Sequence, residues 1–251
     1  MGLPKKLEPS FILAKANFKS RVEGSYLGVL WYLLNPLIMF FFLYSIFSTR
    51  LGNSIENYAA YLLIGIVLFN FFQAVTMESC RCLILNANII KSLKFRRSCF
   101  IEAIVIKNVY SHIFEIILVF IILVIFKQNT VAFLFYPVLF ILFIFFVYGV
   151  SLFLSAVTVY IVDLENIWSF ATKILFFVTP IFYSIGPQNK LAWVNSLNPL
   201  YYFIELFRQV VVYGKLPALS IILFCLCSSI IFLIVGLILF KKLNRRLPEL
   251  I

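Results

Sequence analysis

Residues 131–157 read VAFLFYPVLFILFIFFVYGVSLFLSAV, a run without a single charged side chain. A membrane core is about 30 Å thick and is crossed by ~20 mostly apolar helical residues, so this run is long enough to span it. Five further apolar stretches of similar length accompany it. The predicted spans are residues 29–48, 58–76, 101–126, 131–157, 167–184 and 218–240. The pattern predicts an all-α integral membrane protein with six transmembrane helices.

The composition supports a membrane protein throughout. The chain of 251 residues is 63% hydrophobic and 12% charged, whereas soluble domains carry roughly 25% charged residues. We therefore expect a single transmembrane domain over residues 1–251. The formal charge of +11 comes from basic residues beside the apolar spans, where they face anionic headgroups, so nucleic-acid binding is not expected.

The lysines and arginines are distributed unevenly between the two sides of the predicted membrane. With the amino terminus inside, most of the 21 basic residues, Lys173 among them, fall on the inner side. Those on the outer side are Arg50, Lys127, Lys190, Arg208 and Lys215. This bias predicts that both termini are cytoplasmic. No cleavage site follows the first apolar run, so we expect it to remain in the mature protein.

Two amphipathic segments lie on the predicted inner side. Residues 9–22 carry Phe11, Ala14, Phe18 and Val22 at helical spacing, which predicts a helix lying in the membrane interface. Apolar residues also alternate with polar and basic ones in residues 78–97. That second pattern fits an amphipathic loop resting on the headgroups or a short helix presented to a cytosolic partner, and both readings remain open.

The outer connection, residues 185–216, is too long for a simple hairpin. Asn198 followed by Pro199 predicts a helix N-cap, and Gly214 supplies a stop, so we expect a helix over residues 199–213. At 1.5 Å per residue it would reach only ~22 Å, too short to cross. The segment therefore predicts a re-entrant or interfacial hairpin that serves as an outer gate.

Ionisable residues inside apolar spans are rare and need an explanation. His112 and Glu115 lie one turn apart in the third span, where they form either a self-satisfied pair at a helix interface or a polar patch on a translocation path. Glu205 and Arg208 have the same spacing in the outer hairpin. They could pair locally or offer charge to an anionic substrate.

Tyrosine and tryptophan residues concentrate near the predicted path. These side chains combine a ring face with a hydroxyl or N–H donor, a combination that suits pyranose sugars as well as membrane anchoring. The candidate path residues are Trp31, Tyr32, Tyr44 and Tyr183, and those of the outer hairpin are Trp193, Tyr201 and Tyr202.

Motifs for catalysis and for cofactor binding are missing from the sequence. It contains no glycine-rich phosphate loop, no paired-histidine metal motif, and one histidine in total. The five cysteines do not form a disulfide or metal-binding pattern, so we expect reduced thiols and no metal site. If ATP drives transport, a separate polypeptide must bind it.

Three motifs resemble those of permeases of type 2 ABC exporters that move polysaccharides such as O-antigen and teichoic acid. The motifs are RVEGSYLG at residues 21–28, continuing to Leu30-Trp31 and Asn35-Pro36; VTPIFY at residues 178–183; and NPLYYFIELFR at residues 198–208. They occur in the family's order and spacing, and the likeness covers nearly the whole chain through its six-span layout.

This resemblance implies a homodimer in the bacterial plasma membrane that passes a lipid-linked polysaccharide outward through a channel lined by spans one and five. An ABC ATPase subunit would bind ATP and Mg²⁺. The channel wall would comprise Trp31, Tyr32, Tyr44 and Tyr183, and the gate Trp193, Tyr201, Tyr202, Glu205 and Arg208. A coupling helix would contact the ATPase through Asn86, Asn88, Ile89, Ile90, Lys91, Lys94, Phe95, Arg96 and Arg97. The family often has Phe-Pro where this chain has Phe95-Arg96.

Two alternatives remain open at this level. An exporter of drugs or small lipids would share the architecture, and a channel or secondary transporter would need no ATPase. An intramembrane enzyme is disfavoured because the paired acidic or nucleophilic groups it would need are absent.

Overall fold

A computed structural model describes residues 8–22, 28–51, 55–92, 96–126, 130–185 and 190–243. Every regular element in these ranges is helical, which confirms the predicted all-α class. A π-helical turn, Arg208–Val212, continues the ninth helix. The α-helices are α1 (Glu8–Val22), α2 (Trp31–Leu51), α3 (Tyr58–Leu85), α4 (Ala87–Ser92), α5 (Ser98–Ile125), α6 (Tyr136–Thr158), α7 (Leu164–Val178), α8 (Lys190–Ser196), α9 (Pro199–Phe207) and α10 (Leu219–Leu243).

Helix α3 forms the centre of the bundle. Its most apolar stretch is 78% buried, against 17% for α2 and 22% for α10. Helices α2, α5, α6 and α7 all pack on it. A helix that is apolar on every side belongs in a core, whereas the long apolar faces of α2 and α10 are left for lipid or for another protein.

Five helical segments within the described ranges are long and apolar enough to cross a membrane: α2, α3, α5, residues 131–158 and α10. The chain is therefore a multi-pass membrane protein. Helix α7 occupies the fifth predicted span but has 15 residues, about 22 Å. The chain then continues without helical structure through residues 179–185. Six crossings remain a prediction.

The second span and the connection after it differ from their predicted boundaries. Helix α3 continues to Leu85, beyond the predicted end at residue 76, because Glu78 and Arg81 are compatible with a helix and residues 77–85 contain no glycine or proline. The short helix α4 follows, within predicted residues 86–97. We call this the α4 end of the bundle and the opposite end the α9 end. Lys94 and Phe95 lie outside the described residues.

The two predicted short helices are present. Helix α1 packs on α5 and buries Ser10 and Ala14 completely, while its interfacial location remains a prediction. At α9, the Asn198 side chain accepts a hydrogen bond of 3.1 Å from the Leu200 amide, which confirms the predicted N-cap. Gly214, with a φ of 59°, follows the π-helical turn.

Candidate functional site

The backbone is irregular where α7 ends, at the α9 end of the bundle. Thr179 is extended, with φ −72° and ψ 132°, because the following Pro180 disfavours the helical conformation of the residue before it. Carbonyls freed in this way are costly among apolar helices unless side chains satisfy them. Where each carbonyl finds its partner therefore decides whether this segment can exist in a membrane.

All the carbonyls of residues 177–183 accept hydrogen bonds. The Tyr183 hydroxyl turns back and donates to the carbonyls of Phe177 and Val178, at 2.9 and 2.6 Å. The amide of Ile181 donates to the carbonyl of Thr179 at 2.7 Å. The segment thus stabilises part of its own turn.

Helix α3 supplies further donors through two tyrosines. The Tyr58 hydroxyl donates to the carbonyl of Phe182 at 2.9 Å. The Tyr61 hydroxyl donates to the carbonyl of Tyr183 at 2.8 Å. Spacing of three residues places both hydroxyls on one face of α3, so the central helix holds the irregular segment directly.

Helix α8 and the N-cap of α9 provide one asparagine each. Asn195 Nδ2 donates to the carbonyl of Val178 at 2.9 Å, and Asn198 Nδ2 donates to Thr179 Oγ1 at 2.9 Å. The same Asn198 side chain caps α9. The N-cap therefore fixes the start of α9 against the end of α7.

Arg208 completes the set of donors. Its Nη1 and Nη2 atoms donate to the carbonyls of Pro180 and Ile181, both at 2.8 Å, and its Nε donates to the carbonyl of Tyr61 at 3.2 Å. The guanidinium carbon lies 3.3 Å from the centre of the Tyr61 ring, and the side chain is 0% exposed. A rigid fork of donors over an aromatic face is a role that arginine fills better than lysine.

Neither reading of the Glu205 and Arg208 pair describes this conformation. The Arg208 guanidinium is enclosed by backbone carbonyls instead of facing a path for a substrate, and Glu205 accepts a hydrogen bond of 2.9 Å from Gln209. In this conformation Arg208 braces the irregular segment.

A cavity of 640 Å³, which we call the central cavity, opens between α2, α3, α5 and α7. Aromatic rings form part of its wall, including that of Tyr32. Its lining is unusually polar for the inside of an apolar bundle, and the polar members are Asn35, Asn70, Gln73, Asn108, Ser111, Glu115, Ser169 and Lys173. Polar groups at such depth are found where they face one another, water or a ligand.

Glu115 belongs to a hydrogen-bonded row that leaves the cavity. Its Oε2 atom lies 2.8 Å from His112 Nδ1, and His112 Nε2 lies 2.9 Å from the Tyr136 hydroxyl. In the tautomer with the proton on Nδ1, His112 donates to the Glu115 carboxylate and its Nε2 accepts from the Tyr136 hydroxyl. His112 is fully enclosed and stacks on Phe140 at 4.2 Å. It therefore satisfies the α5–α6 interface, while Glu115 reaches the cavity.

A second cavity of 330 Å³, the α9 cavity, lies beside the irregular segment. Its charged lining residues are Glu56, Glu205 and Lys215, and the tyrosines Tyr201 and Tyr213 face it as well. Burial, with a smaller effect from neighbouring Tyr61, raises the pKa of Tyr213 to about 12. Its hydroxyl therefore stays protonated and available as a donor at neutral pH.

An aromatic cluster connects the wall of the central cavity to the irregular segment. The rings of Phe69 and Phe176 lie 5.1 Å apart, those of Phe176 and Phe182 lie 6.2 Å apart, and Phe47 stacks on Phe182 at 4.9 Å. Phe69 and Phe176 line the central cavity, and Phe182 belongs to the irregular segment. The cluster therefore joins the central cavity to the segment that borders the α9 cavity.

A third cavity of 570 Å³ lies at the α4 end and shares Met77 with the central cavity. Two ion pairs border it, Arg81 with Glu165 and Lys107 with Glu78. The first links α3 to the start of α7, and the second links α3 to α5. The third cavity thus adjoins the central cavity at Met77, and its ion pairs join α3 to α5 and α7.

Glu102 joins four parts of the chain at the same end. Its Oε2 accepts a hydrogen bond of 2.7 Å from Ser10 of α1, and its Oε1 accepts one of 3.3 Å from Tyr148 of α6. Arg96, which follows α4 in the chain, pairs with the same carboxylate. We call Glu102, Ser10, Arg96 and Tyr148 the Glu102 junction.

The predicted wall residues have different surroundings. Tyr32 lines the central cavity, and Trp31 beside it is 45% exposed. Tyr44 stacks between Phe40 and Tyr58. Tyr183 uses its hydroxyl within the irregular segment, as described above.

The predicted gate and coupling residues also separate by location. Tyr201 and Tyr202 lie edge to face at 5.2 Å on α9, and Trp193 of α8 is exposed. Near α4, Asn86 Nδ2 donates to the carbonyl of Cys82 at 2.8 Å. Residues Asn88, Ile89, Lys91 and Arg96 are exposed, whereas Ile90 packs on the core and Arg97 is half-buried.

Several residues of this site were missed from the sequence. Tyr58, Tyr61 and Glu102 look like ordinary residues near span ends, and only the fold gives them partners. Lys173 was counted as an inner flank. Its position inside an apolar run is the signal from which Lys173 could have been recognised as a candidate site residue.

Comparison with known proteins gives a consistent family. The family model described as ABC-2 type transporter matches residues 10–212. Two O-antigen export system permease proteins from Klebsiella pneumoniae are 29% and 27% identical to the chain over 245 and 243 residues, which is 96% of this chain and 93% of each relative. A protein of the same description from Myxococcus xanthus is 22% identical over 231 residues, 87% of this chain and 89% of the relative.

Proposed function

The chain belongs to the ABC-2 type transporter family, and on that premise we propose that it is the membrane subunit of an ATP-driven exporter of a lipid-linked polysaccharide. Two copies form the channel in the bacterial plasma membrane, with both termini in the cytoplasm. A separate ABC ATPase binds ATP and Mg²⁺. Helix α7 together with residues 179–185 makes the fifth of six crossings.

The observation that carries this proposal is the polar central cavity inside an apolar bundle. Amide, hydroxyl and charged groups from four helices meet there, and maintaining them at this depth is costly unless a hydrophilic cargo or water occupies the space. Amides beside aromatic rings suit sugars, which offer both hydroxyls and apolar C–H faces. The names of the relatives, which are O-antigen export permeases, favour a glycan cargo over a drug.

The α4 end fits a contact with the ATPase. Helix α4 presents exposed Asn88, Ile89 and Lys91, a short helical surface of the kind that a partner can bind. The cavity at this end leads towards the central cavity through shared Met77. Cytosolic entry and ATPase docking therefore take place at the same end.

Deleting the chain in its host is expected to abolish surface polysaccharide while the polymer accumulates inside the cell. The test is to immunostain surface polymer and to purify the tagged chain with its associated ATPase. The wild-type chain restores export, and it fails to do so when the ATPase carries a replaced phosphate-loop lysine, because hydrolysis drives transport. Export that persists with the inactive ATPase, or a deletion that lowers drug resistance and leaves surface glycan intact, would refute the proposal.

Glu102→Gln is expected to reduce the polymer exported per ATP hydrolysed by about fivefold or more, the range of a typical coupling energy between sites. The Glu102 junction ties the residue after α4 to α1 and α6, so weakening it lets α4 move without the bundle. ATPase rate and transport are measured together in proteoliposomes.

The matched control is Glu165→Gln, which removes an ion pair with Arg81 at the same end and leaves the Glu102 junction intact. Arg96→Lys should retain most of the coupling because it keeps the charge. A proportional fall in both rates for Glu102→Gln would mean that the junction serves stability alone.

A further inference from the structure

Lys173 places a positive charge within the apolar run of α7. It lies eight residues after Glu165, whose carboxylate marks the α4 end, so it is ~12 Å further along α7. Half the thickness of a bilayer core is ~15 Å. Its side chain lines the central cavity and is exposed there. The ammonium group is therefore near mid-membrane and is directed to the cavity instead of the headgroups.

No counterion is found for this ammonium in the described part of the chain. The lining contains one carboxylate, Glu115, and that group is bonded to His112. The other ion pairs found in the described ranges, at Arg81, Arg96 and Lys107, lie at the α4 end. An uncompensated cation at this depth is expensive, and such residues usually bind a ligand of opposite charge.

Two amide side chains also favour an anion as the ligand of this cavity. Asn35 of α2 and Asn70 of α3 line the same cavity, and across the described ranges neither side chain takes part in a hydrogen bond. Each can turn its NH₂ group towards the cavity centre. A lysine with two free amides can bind one compact anion that has several oxygens, which describes a phosphate group better than a neutral hydroxyl.

We propose that Lys173, assisted by Asn35 and Asn70, binds a phosphate group of the cargo within the central cavity. The inference rests on the proposed function, because a phosphate joins the glycan to its lipid carrier in a lipid-linked polysaccharide. It extends that function by naming the part of the cargo that occupies the middle of the membrane. The sugar-facing residues would then act on the glycan that follows.

The experiment measures binding without transport. The exporter, purified with its ATPase in lipid nanodiscs, is titrated with farnesyl diphosphate, with farnesol and with inorganic pyrophosphate, and the shift in unfolding temperature is recorded. Farnesyl diphosphate should stabilise the wild type, whereas farnesol should not. Stabilisation by pyrophosphate would show that the site binds phosphate without a lipid chain, whereas stabilisation by farnesyl diphosphate alone would show that it requires the lipid as well.

Lys173→Gln is expected to weaken the binding of farnesyl diphosphate by about tenfold or more, the value of one charge-assisted hydrogen bond. Lys173→Arg should retain it, because the cation remains. Lys215→Gln, a lysine of the α9 cavity, is the matched control and should bind like the wild type. The unfolding temperature without ligand shows whether each variant is folded.

Equal affinity of wild type and Lys173→Gln for farnesyl diphosphate would overturn the site assignment. So would equal stabilisation by farnesol, because the phosphate would then contribute nothing. Should Lys173→Gln prove unfolded, Asn70→Leu tests the same site from α3 with the same two criteria. These outcomes are independent of the proposed function, whose failure would appear as export that continues with an inactive ATPase.

Discussion

Arg208→Met is expected to leave little folded protein and no surface polymer. Methionine keeps the length of the side chain, but it removes the donors to the carbonyls of Pro180, Ile181 and Tyr61. The Pro180 carbonyl keeps the Tyr61 hydroxyl as a donor at 3.4 Å. An unsatisfied buried group costs about 1–3 kcal/mol, so the loss at the other two carbonyls is about 2–6 kcal/mol. Total stabilities are only about 5–15 kcal/mol.

The measurement is the yield of monodisperse protein and its unfolding temperature, read beside surface polymer. Arg208→Lys is the informative comparison, because one ammonium group cannot reproduce the fork that holds both Pro180 and Ile181. The unfolding temperature of Arg208→Lys should lie between those of the wild type and of Arg208→Met. Glu205→Gln, three residues away, should be close to wild type in stability, since its carbonyl oxygen can still accept from Gln209.

This result distinguishes a structural role of Arg208 from direct binding of the substrate. If Arg208 met the substrate directly, Arg208→Met would keep its yield and unfolding temperature and lose export alone. Gly65 gives an independent check. An added Cβ there would lie 2.8 Å from Arg208 Nη2, so Gly65→Val should displace the guanidinium and lower stability in the same direction.

Helix positions could largely be predicted from the sequence because polar residues mark the two ends of most apolar runs. The end of α7, like that of α3, is an exception. The run stays apolar to Phe182, which favoured a span ending at residue 184, but Pro180 already disfavours helix at Thr179. The prediction followed the length and hydropathy of the run and gave too little weight to Pro180. The span prediction therefore included residues 179–184, which the structure leaves without helix.

The candidate site depends on contacts between distant parts of the chain, which no pattern encodes. Asn198 could be recognised as a cap because its partner is two residues away. Tyr61 and Arg208 are separated by 147 positions, and nothing in either neighbourhood indicates the other. Burial of Arg208 is equally invisible, since an arginine on a short outer helix would ordinarily be expected to face water.

Helices α6 and α10 are in close contact where Gly149 of α6 meets Gly236 of α10. An added Cβ on Gly149 would lie 2.4 Å from the carbonyl carbon of Phe232, and one on Gly236 would lie 2.3 Å from the carbonyl oxygen of Gly149. These neighbours are backbone atoms, which cannot rotate away. Small residues allow this close approach, and in a membrane the packing it permits drives helix association.

Gly149→Leu and Gly236→Leu are each expected to abolish the packing of α10 on α6, since overpacking already costs about 1–3 kcal/mol when side chains can adjust. Gly149→Ala and Gly236→Ala should lower the unfolding temperature while leaving folded protein to measure. Both alanines force the same separation of α6 from α10, so the double variant should lose less than the sum of the single losses. Cys227→Leu, which enlarges another small residue of α10 on an exposed face, should behave like the wild type. Leucine variants as stable as that control would show that the two helices do not meet at these glycines.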